Sequence, residues 1–190
     1  MALETTFESE RLRFRPVLME DLEDIHTLHS SPAVNQYNTL GIPKDLEESQ
    51  YVLHSFIKGF HKIPLRDFTF CLKDKAGIFI GLIALRRDNP KYKGGEIWYK
   101  IMVDQWGKGY ATEAVRRVLD FAFGSLYLHR VEAQCAPENK ASIRVLEKAG
   151  LKYEGTKRKV LPLAQGWTDS CLMAMLEEDY RELRKGEGRS

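Results

Sequence analysis

Cysteine is scarce in this chain. Cys71, Cys135 and Cys171 are the three among 190 residues, odd in number, widely spaced and each in an apolar or strand-like context. That spacing builds no disulfide framework and reads as buried free thiols. A zinc site would need closer spacing and more ligands. Long apolar runs are missing too, and none approaches a membrane span. Met1 to Arg11 carries acids and has no apolar centre, so it does not read as a signal peptide. A reducing cytoplasm is the expected compartment. Charge of one sign is also lacking. Twenty-nine basic and 27 acidic residues leave +2, too little to make nucleic acid the default partner. The five histidines (His26, His29, His54, His61 and His129) are scattered, and none stands at metal or triad spacing from a Cys, Ser or Asp. No internal repeat or linker is visible. What remains is an ordinary globular composition, long enough to bury one core without staples.

Hydrophobic periodicity divides the chain into strands and helices. Arg11 to Pro16 alternates and predicts a strand ended by proline. Leu22, Ile25 and Leu28 recur at helical spacing within Met19 to His29. Ala33 to Lys44 is less regular, and its Asn35, Gln36, Tyr37 and Asn38 suit either a pocket lining or a surface loop. Asp45 is a plausible N-cap for a second helix reaching Phe60. Asp67 to Lys73 and Ile78 to Arg86 predict a hairpin around Asp74-Lys75-Ala76-Gly77. Glu96 to Val103 alternates, with Ile97, Tyr99, Ile101 and Val103 on one side. Ala111 to Phe123 is the clearest helix. Arg130 to Ala136 predicts a strand, and Asn139 to Ala149 a helix closed by Gly150. Leu151 to Arg158 and Asp169 to Leu176 complete the strands, joined by a loop holding Pro162, Gly166 and Trp167. The charged tail, residues 177–190, is expected to begin as helix and then fray. The order implies an α/β (α+β) domain over residues 1–176, with helices packed on a mixed sheet.

One stretch stands out: Asp104-Gln105-Trp106-Gly107-Lys108-Gly109-Tyr110-Ala111-Thr112-Glu113-Ala114, between a predicted strand and the clearest helix. Two glycines one residue apart at such a switch let the backbone come close to a ligand. They leave free amides at a helix N-terminus, where the helix dipole also favours an anion, phosphate above all. A P-loop is excluded, because Lys108 lies between the glycines and Tyr110 follows the second. A dinucleotide fingerprint needs a third glycine where Thr112 stands, and the acid that would meet the ribose, Glu132, falls too early in its strand. A tight strand-to-helix turn with no ligand also accounts for two glycines.

The segment Trp106 to Ala114 resembles the acyl-CoA pyrophosphate loop of the GCN5-related N-acetyltransferase (GNAT) superfamily. Within it, the chain resembles the branch that contains the ribosomal-protein alanine and serine N-terminal acetyltransferases. Glu8 to Pro16 followed by Glu20-Asp21-Leu22 is similar to that branch's opening strand and helix. Asn139-Lys140-Ala141-Ser142-Ile143-Arg144-Val145-Leu146-Glu147-Lys148-Ala149-Gly150-Leu151 is similar to its second CoA-contacting helix, and Gly166-Trp167-Thr168-Asp169 to the start of its last strand pair. Two places differ from the wider superfamily. Trp106 stands where Gln or Arg usually opens the loop, as is usual for this branch, and Leu146 stands where a tyrosine general acid is common.

The resemblance implies a single GNAT-like domain with a largely antiparallel central sheet, splayed at the acyl-CoA site. It implies acetyl-CoA as acyl donor, no metal, an amine acceptor and a possible homodimer, with no role for nucleic acid or membrane. Amides of Gly107, Lys108, Gly109, Tyr110, Ala111 and Thr112, with Trp106 beside them, would hold the pyrophosphate. Lys108 either adds a cation there or is solvated. The pantetheine arm would run along Ile101-Met102-Val103, which splays from Val131 to Cys135. A backbone N–H near Met102 or Val103 would face the thioester oxygen, a donor worth ~3 kcal/mol in barrier. Asn139 would bond the pantetheine or cap its own helix. Ser142 is the nearest replacement for the missing tyrosine, or a second capping residue.

The attacking amine must be neutral, and an α-amine (pKa ~8) is easier to deprotonate than a lysine-like one (~10.4). Glu96, acting through water, and Asp169 are the candidate bases. Each is also explained without catalysis, Glu96 as a solvated sheet residue and Asp169 as a turn acid. Lys157-Arg158-Lys159 precedes a loop expected to overhang the acceptor and either attracts an acidic partner or is a solvated strand end. No residue is placed to carry the acetyl group, so direct attack in a ternary complex is expected. The competing class is an acyl-CoA-binding regulatory module without turnover, which Leu146 keeps open.

Overall fold

A computed structural model describes residues 3–187. Its centre is one eight-stranded sheet: β1 (Phe7–Glu8), β2 (Leu12–Pro16), β3 (Asp67–Asp74), β4 (Phe79–Arg87), β5 (Gly94–Ile101), β6 (Arg130–Cys135), β7 (Lys152–Leu163) and β8 (Gly166–Leu176). The spatial order is β1-β2-β3-β4-β5-β6-β8-β7. Every neighbouring pair is antiparallel except β5 and β6. The helices are α1 (Leu22–Ser30), α2 (Pro32–Asn35), α3 (Leu46–Phe60), α4 (Tyr110–Asp120), α5 (Lys140–Ala149) and α6 (Glu177–Glu187). This is the mixed, mostly antiparallel sheet flanked by helices that the sequence implies.

Alternation along the strands sends side chains to two different cores. On one face, Phe14, Phe70, Ile83, Ile97 and Ile101 pack with α4 and α5 through Val115, Val118, Leu119 and Leu146. On the other, Val17, Cys71 and Leu82 pack with α1 and α3 through Ile25, Leu28 and Leu53, and Trp98 borders this second core. The apolar face of α4 is continued by a π-helical turn, Phe121–Ser125, whose Phe121 stacks on Phe7 at 5.2 Å. All three cysteines are buried and unpaired, as their contexts suggest.

Local chemistry sets the boundaries. Asp45 caps α3 by accepting from the Glu48 amide at 2.9 Å. Asp74 closes the β3–β4 turn by accepting from the Ala76 and Ile78 amides. Several expectations shift. β5 ends at Ile101, and Val103 belongs to a single 3₁₀ turn, Val103–Gln105, at 44% exposure. β7 and β8 run through the expected loop: Pro162 pairs with Trp167 and Leu163 with Gly166, leaving a two-residue turn. A proline is tolerated there because β7 is the edge strand. The tail begins as the expected helix, Glu177–Glu187, and is docked on the domain; the end where fraying is expected, residues 188–190, lies outside the described residues. Tyr180 stacks on Phe123 at 4.9 Å and donates to Asp120 at 2.9 Å.

Candidate active site

β5 and β6 pair only at Gly94–Arg130, Gly95–Val131 and Glu96–Glu132. Beyond that point each strand keeps its other neighbour. β5 stays on β4 as far as Ile101, and β6 stays on β8 as far as Cys135. The two strands therefore part, and a cleft of about 580 Å³ opens between them. Ile97 to Ile101 form one wall, Ala133 to Cys135 the other, and Trp106, Gly107, Gly109, Tyr110, Ala111 and Thr112 close one end. Asn139 and Ser142 of α5 line it, as do Gln36, Tyr37 and Asn38 after α2, so the irregular segment there is a pocket lining.

The backbone facing this cleft follows from the ladder. The Met102 amide donates to the Ile80 carbonyl at 2.9 Å, across to β4. Polar groups alternate along an antiparallel strand, so those of Lys100 and Trp98 also point to β4. Those of Ile97, Tyr99 and Ile101 face the opening. The Ile101 carbonyl indeed accepts from Trp106 Nε1 on that side at 2.8 Å. Of the expected donors at Met102 or Val103, Met102 is thus already engaged, whereas the amides of Tyr99 and Ile101 face the opening. Met102 and Val103 do not line the cleft, nor does Lys108, whose Nζ donates to Gln105 at 3.0 Å.

The glycine loop has the form an anion needs. Gly107 (φ +76°) and Gly109 (φ +84°) are left-handed, a region open to glycine at little cost. Helical bonding begins only at Glu113, whose amide donates to the Gly109 carbonyl at 3.1 Å. Among the described residues no protein acceptor meets the amides of Gly107 to Thr112. Arg11 holds the loop from behind: it donates to the Lys108 carbonyl at 2.9 Å, pairs with Glu113 and lies over the Tyr110 ring. Open amides, positive φ and a parted pair of strands fit a long ligand with a diphosphate at one end.

Asn139 caps α5, its Oδ1 accepting from the Ser142 amide at 3.1 Å, while its side chain also borders the cleft. Ser142 Oγ lies 2.8 Å from the Tyr99 hydroxyl across the opening. Burial pushes the Tyr99 phenol well above its ordinary pKa, so it stays protonated. Cys135 lines the cleft as a thiol, pushed up to about 11 by burial. Leu146, in the tyrosine slot, is buried in the wall.

Glu96 sits where β5 and β6 part, half-buried, with Gln134 Nε2 donating to it at 3.5 Å. Burial first, and the Glu132 carboxylate second, raise its pKa above the usual carboxylate range. Gln134 lines the cleft, whereas Glu96 stands just behind it. Asp169 is not brought to the site. Its carboxylate accepts from the Lys159 amide at 2.9 Å, where β7 loses register with β8 and Lys159 takes φ +50°. It shapes a bulge, which is the turn-acid explanation.

The family model described as Acetyltransferase (GNAT) domain matches residues 11–152. The chain belongs to the GNAT acetyltransferase family. An uncharacterized N-acetyltransferase, YnaD of Bacillus subtilis (strain 168), is 30% identical over 175 residues, covering 90% of this chain and 97% of that one. Two solved structures share the fold. Spermidine N-acetyltransferase from Vibrio cholerae, in complex with CoA and spermine, superposes with a TM-score of 0.80 at 24% identity, over 91% of this chain and 99% of its own. Ribosomal-protein-S5-alanine acetyltransferase from Vibrio fischeri does so at 0.78 and 24%, over 93% and 99%.

The GNAT loop and the asparagine helix were legible because glycine spacing and capping chemistry are local. Four residues of this GNAT site were not. Tyr99 counted only as one of an apolar row. Arg11 and Glu113 lie 102 residues apart in sequence, and nothing local links them. Lys100 alternates with apolar neighbours and reads as the solvated side of a strand, yet α2 covers it.

Proposed function

We propose that this protein moves the acetyl group of acetyl-CoA to a primary amine by direct attack within a ternary complex. The observation that carries the reading is the opening between β5 and β6, with bonding-competent backbone on its walls and the open amides of Gly107 to Thr112 at its end. An extended pantetheine arm takes the place of a missing strand there. The Tyr99 or Ile101 amide is the oxyanion donor.

Proton traffic divides between the two sheet faces. Glu96 points to the α1–α3 side and Tyr99 to the α4–α5 side, because they alternate on β5. The amine approaches from the first side and loses its proton to Glu96 through water. Nitrogen bonds to the acetyl carbon, the carbon–sulfur bond breaks, and the thiolate takes a proton from the Tyr99–Ser142 pair. A thiol as weakly acidic as Cys135 is a poor acetyl carrier, which supports direct transfer. Buried unpaired thiols fit a reducing cytoplasm. The acceptor is either a protein N-terminal amine or a small amine.

The test is thiol release from acetyl-CoA across a panel of peptides and amines, at several pH values. Release that requires an amine supports the proposal. Glu96 must be deprotonated to act, so activity should fall as pH drops through its raised pKa. Glu96→Gln should remove that acid limb and lower kcat/KM by about 100-fold. Tight CoA binding with no amine-dependent release would favour a regulatory binding module instead.

A further inference from the structure

The acetyl-transfer steps leave one charged side chain unused. Lys100 is only 6% exposed, yet it lines the cleft. Its ammonium donates to Asn35 Oδ1 at 3.2 Å, and among the described residues it makes no ion pair. Asn35 is itself fixed, its Nδ2 donating to the carbonyls of His29 at 2.5 Å and Ser31 at 2.9 Å. Its Oδ1 is thereby turned toward Lys100. The titratable neighbours on this side are histidines. His29 is buried and held neutral, pushed down to about 4 by burial first and by Lys100 second, and His26 bonds Ser49 Oγ at 2.8 Å. None of these groups supplies negative charge.

A buried ammonium satisfied by one neutral amide is costly, and an anion brought beside it relieves that cost without loss of the proton. Burial lowers the Lys100 pKa to about 8, so the group is still mostly cationic at neutral pH. Its position says which ligand brings the anion. Lys100 shares a sheet face with Glu96, four residues away or roughly 13 Å along the strand, with Trp98 between them. That is the acceptor's side. The diphosphate of the donor belongs to the glycine loop and the thiol to the Tyr99 side.

We infer that Lys100 is a specificity residue that pairs with a carboxylate on the acceptor, so that the preferred acceptor is an amino acid or similar carboxylate-bearing amine, not a polyamine. This rests on the acetyl-transfer reading above and narrows it. A polycation in the same place would meet the buried Lys100 charge with a like charge and no compensating acid beside it.

Matched substrates test the inference: α- and ω-amino acids against their carboxamides, with spermidine as the polycation, all followed by thiol release. The expected result is a preference for the carboxylate of about tenfold or more in kcat/KM, falling toward unity in Lys100→Met. Equal rates for carboxylate and carboxamide, or a preference for spermidine, would overturn the inference while leaving acetyl transfer intact. The wild-type ratio decides even if the variant does not fold. Should no amine release thiol, the transfer reading itself fails. The anion site is then judged by calorimetry of the same amino acids into CoA-saturated protein. Heat that disappears in Lys100→Met supports the site, and no heat in wild type overturns it.

Discussion

Tyr99 and Ser142 meet at 2.8 Å across the opening, one from β5 and one from the first turn of α5. In the proposed transfer this neutral phenol supplies the leaving sulfur with the proton that a tyrosine at position 146 would otherwise give. Tyr99→Phe keeps the ring and its packing and removes only the hydroxyl. We expect kcat to fall by about 100-fold, with KM for acetyl-CoA little changed. Steady-state kinetics at saturating amine check this, and an unchanged kcat would remove Tyr99 from the mechanism. At this scale the sequence is a partial guide. Asn139 and Ser142 are legible because a helix start has a local signature. Asp169 misleads, since an acid near a turn looks alike whether it serves a substrate or the Lys159 amide. Lys100 is invisible, because burial by α2 is a long-range fact that strand alternation does not encode.

At the scale of elements, periodicity located every strand except the two-residue β1, and its errors fall at strand ends, where turn residues mislead. Pro162 and Gly166 signal a loop locally, but an edge strand accommodates them, and the β7–β8 hairpin runs on. Helix α1 carries a consequence of its burial. His29 is 1% exposed, edge-on to Phe56 of α3 at 6.5 Å, and among the described residues its Nε2 has no hydrogen-bond partner. Its folded pKa is about 4, below the ordinary value of 6.5. Between those values the unfolded chain binds a proton that the folded chain refuses, so stability is present at neutral pH and is lost as pH falls from about 6.5 toward 4. The loss is on the order of 3 kcal/mol. Paired carboxylates such as Asp21, bound by Arg15 at 2.6 and 2.7 Å, also weaken folding in acid, so the comparison must be with a variant. Urea unfolding at several pH values should show a shallower decline through this window for His29→Leu than for wild type. Equal slopes would mean that His29 is not held neutral.

The whole molecule is built on one sheet that opens between two of its strands. Seven strand-to-strand contacts hold it together, and the parallel one is released after three residue pairs. The two cores are different, so the faces of the opening are different as well: apolar helices, Tyr99 and Ser142 on one side, Glu96, Trp98 and Lys100 on the other. The proposed transfer, which brings an amine and sends away a thiol, uses these two sides separately. Sequence patterns alone give a mixed sheet with helices, and the splay enters only through resemblance. Where a strand pair parts is decided by what its outer neighbours hold, here β4 and β8. The most direct measurement is a titration of the ¹⁵N-labelled protein with CoA, followed amide by amide. The account predicts saturable shifts concentrated at Gly107, Gly109, Tyr110 and Thr112 and along Tyr99 to Ile101. Saturation with those amides unmoved, or no binding at all, would contradict it.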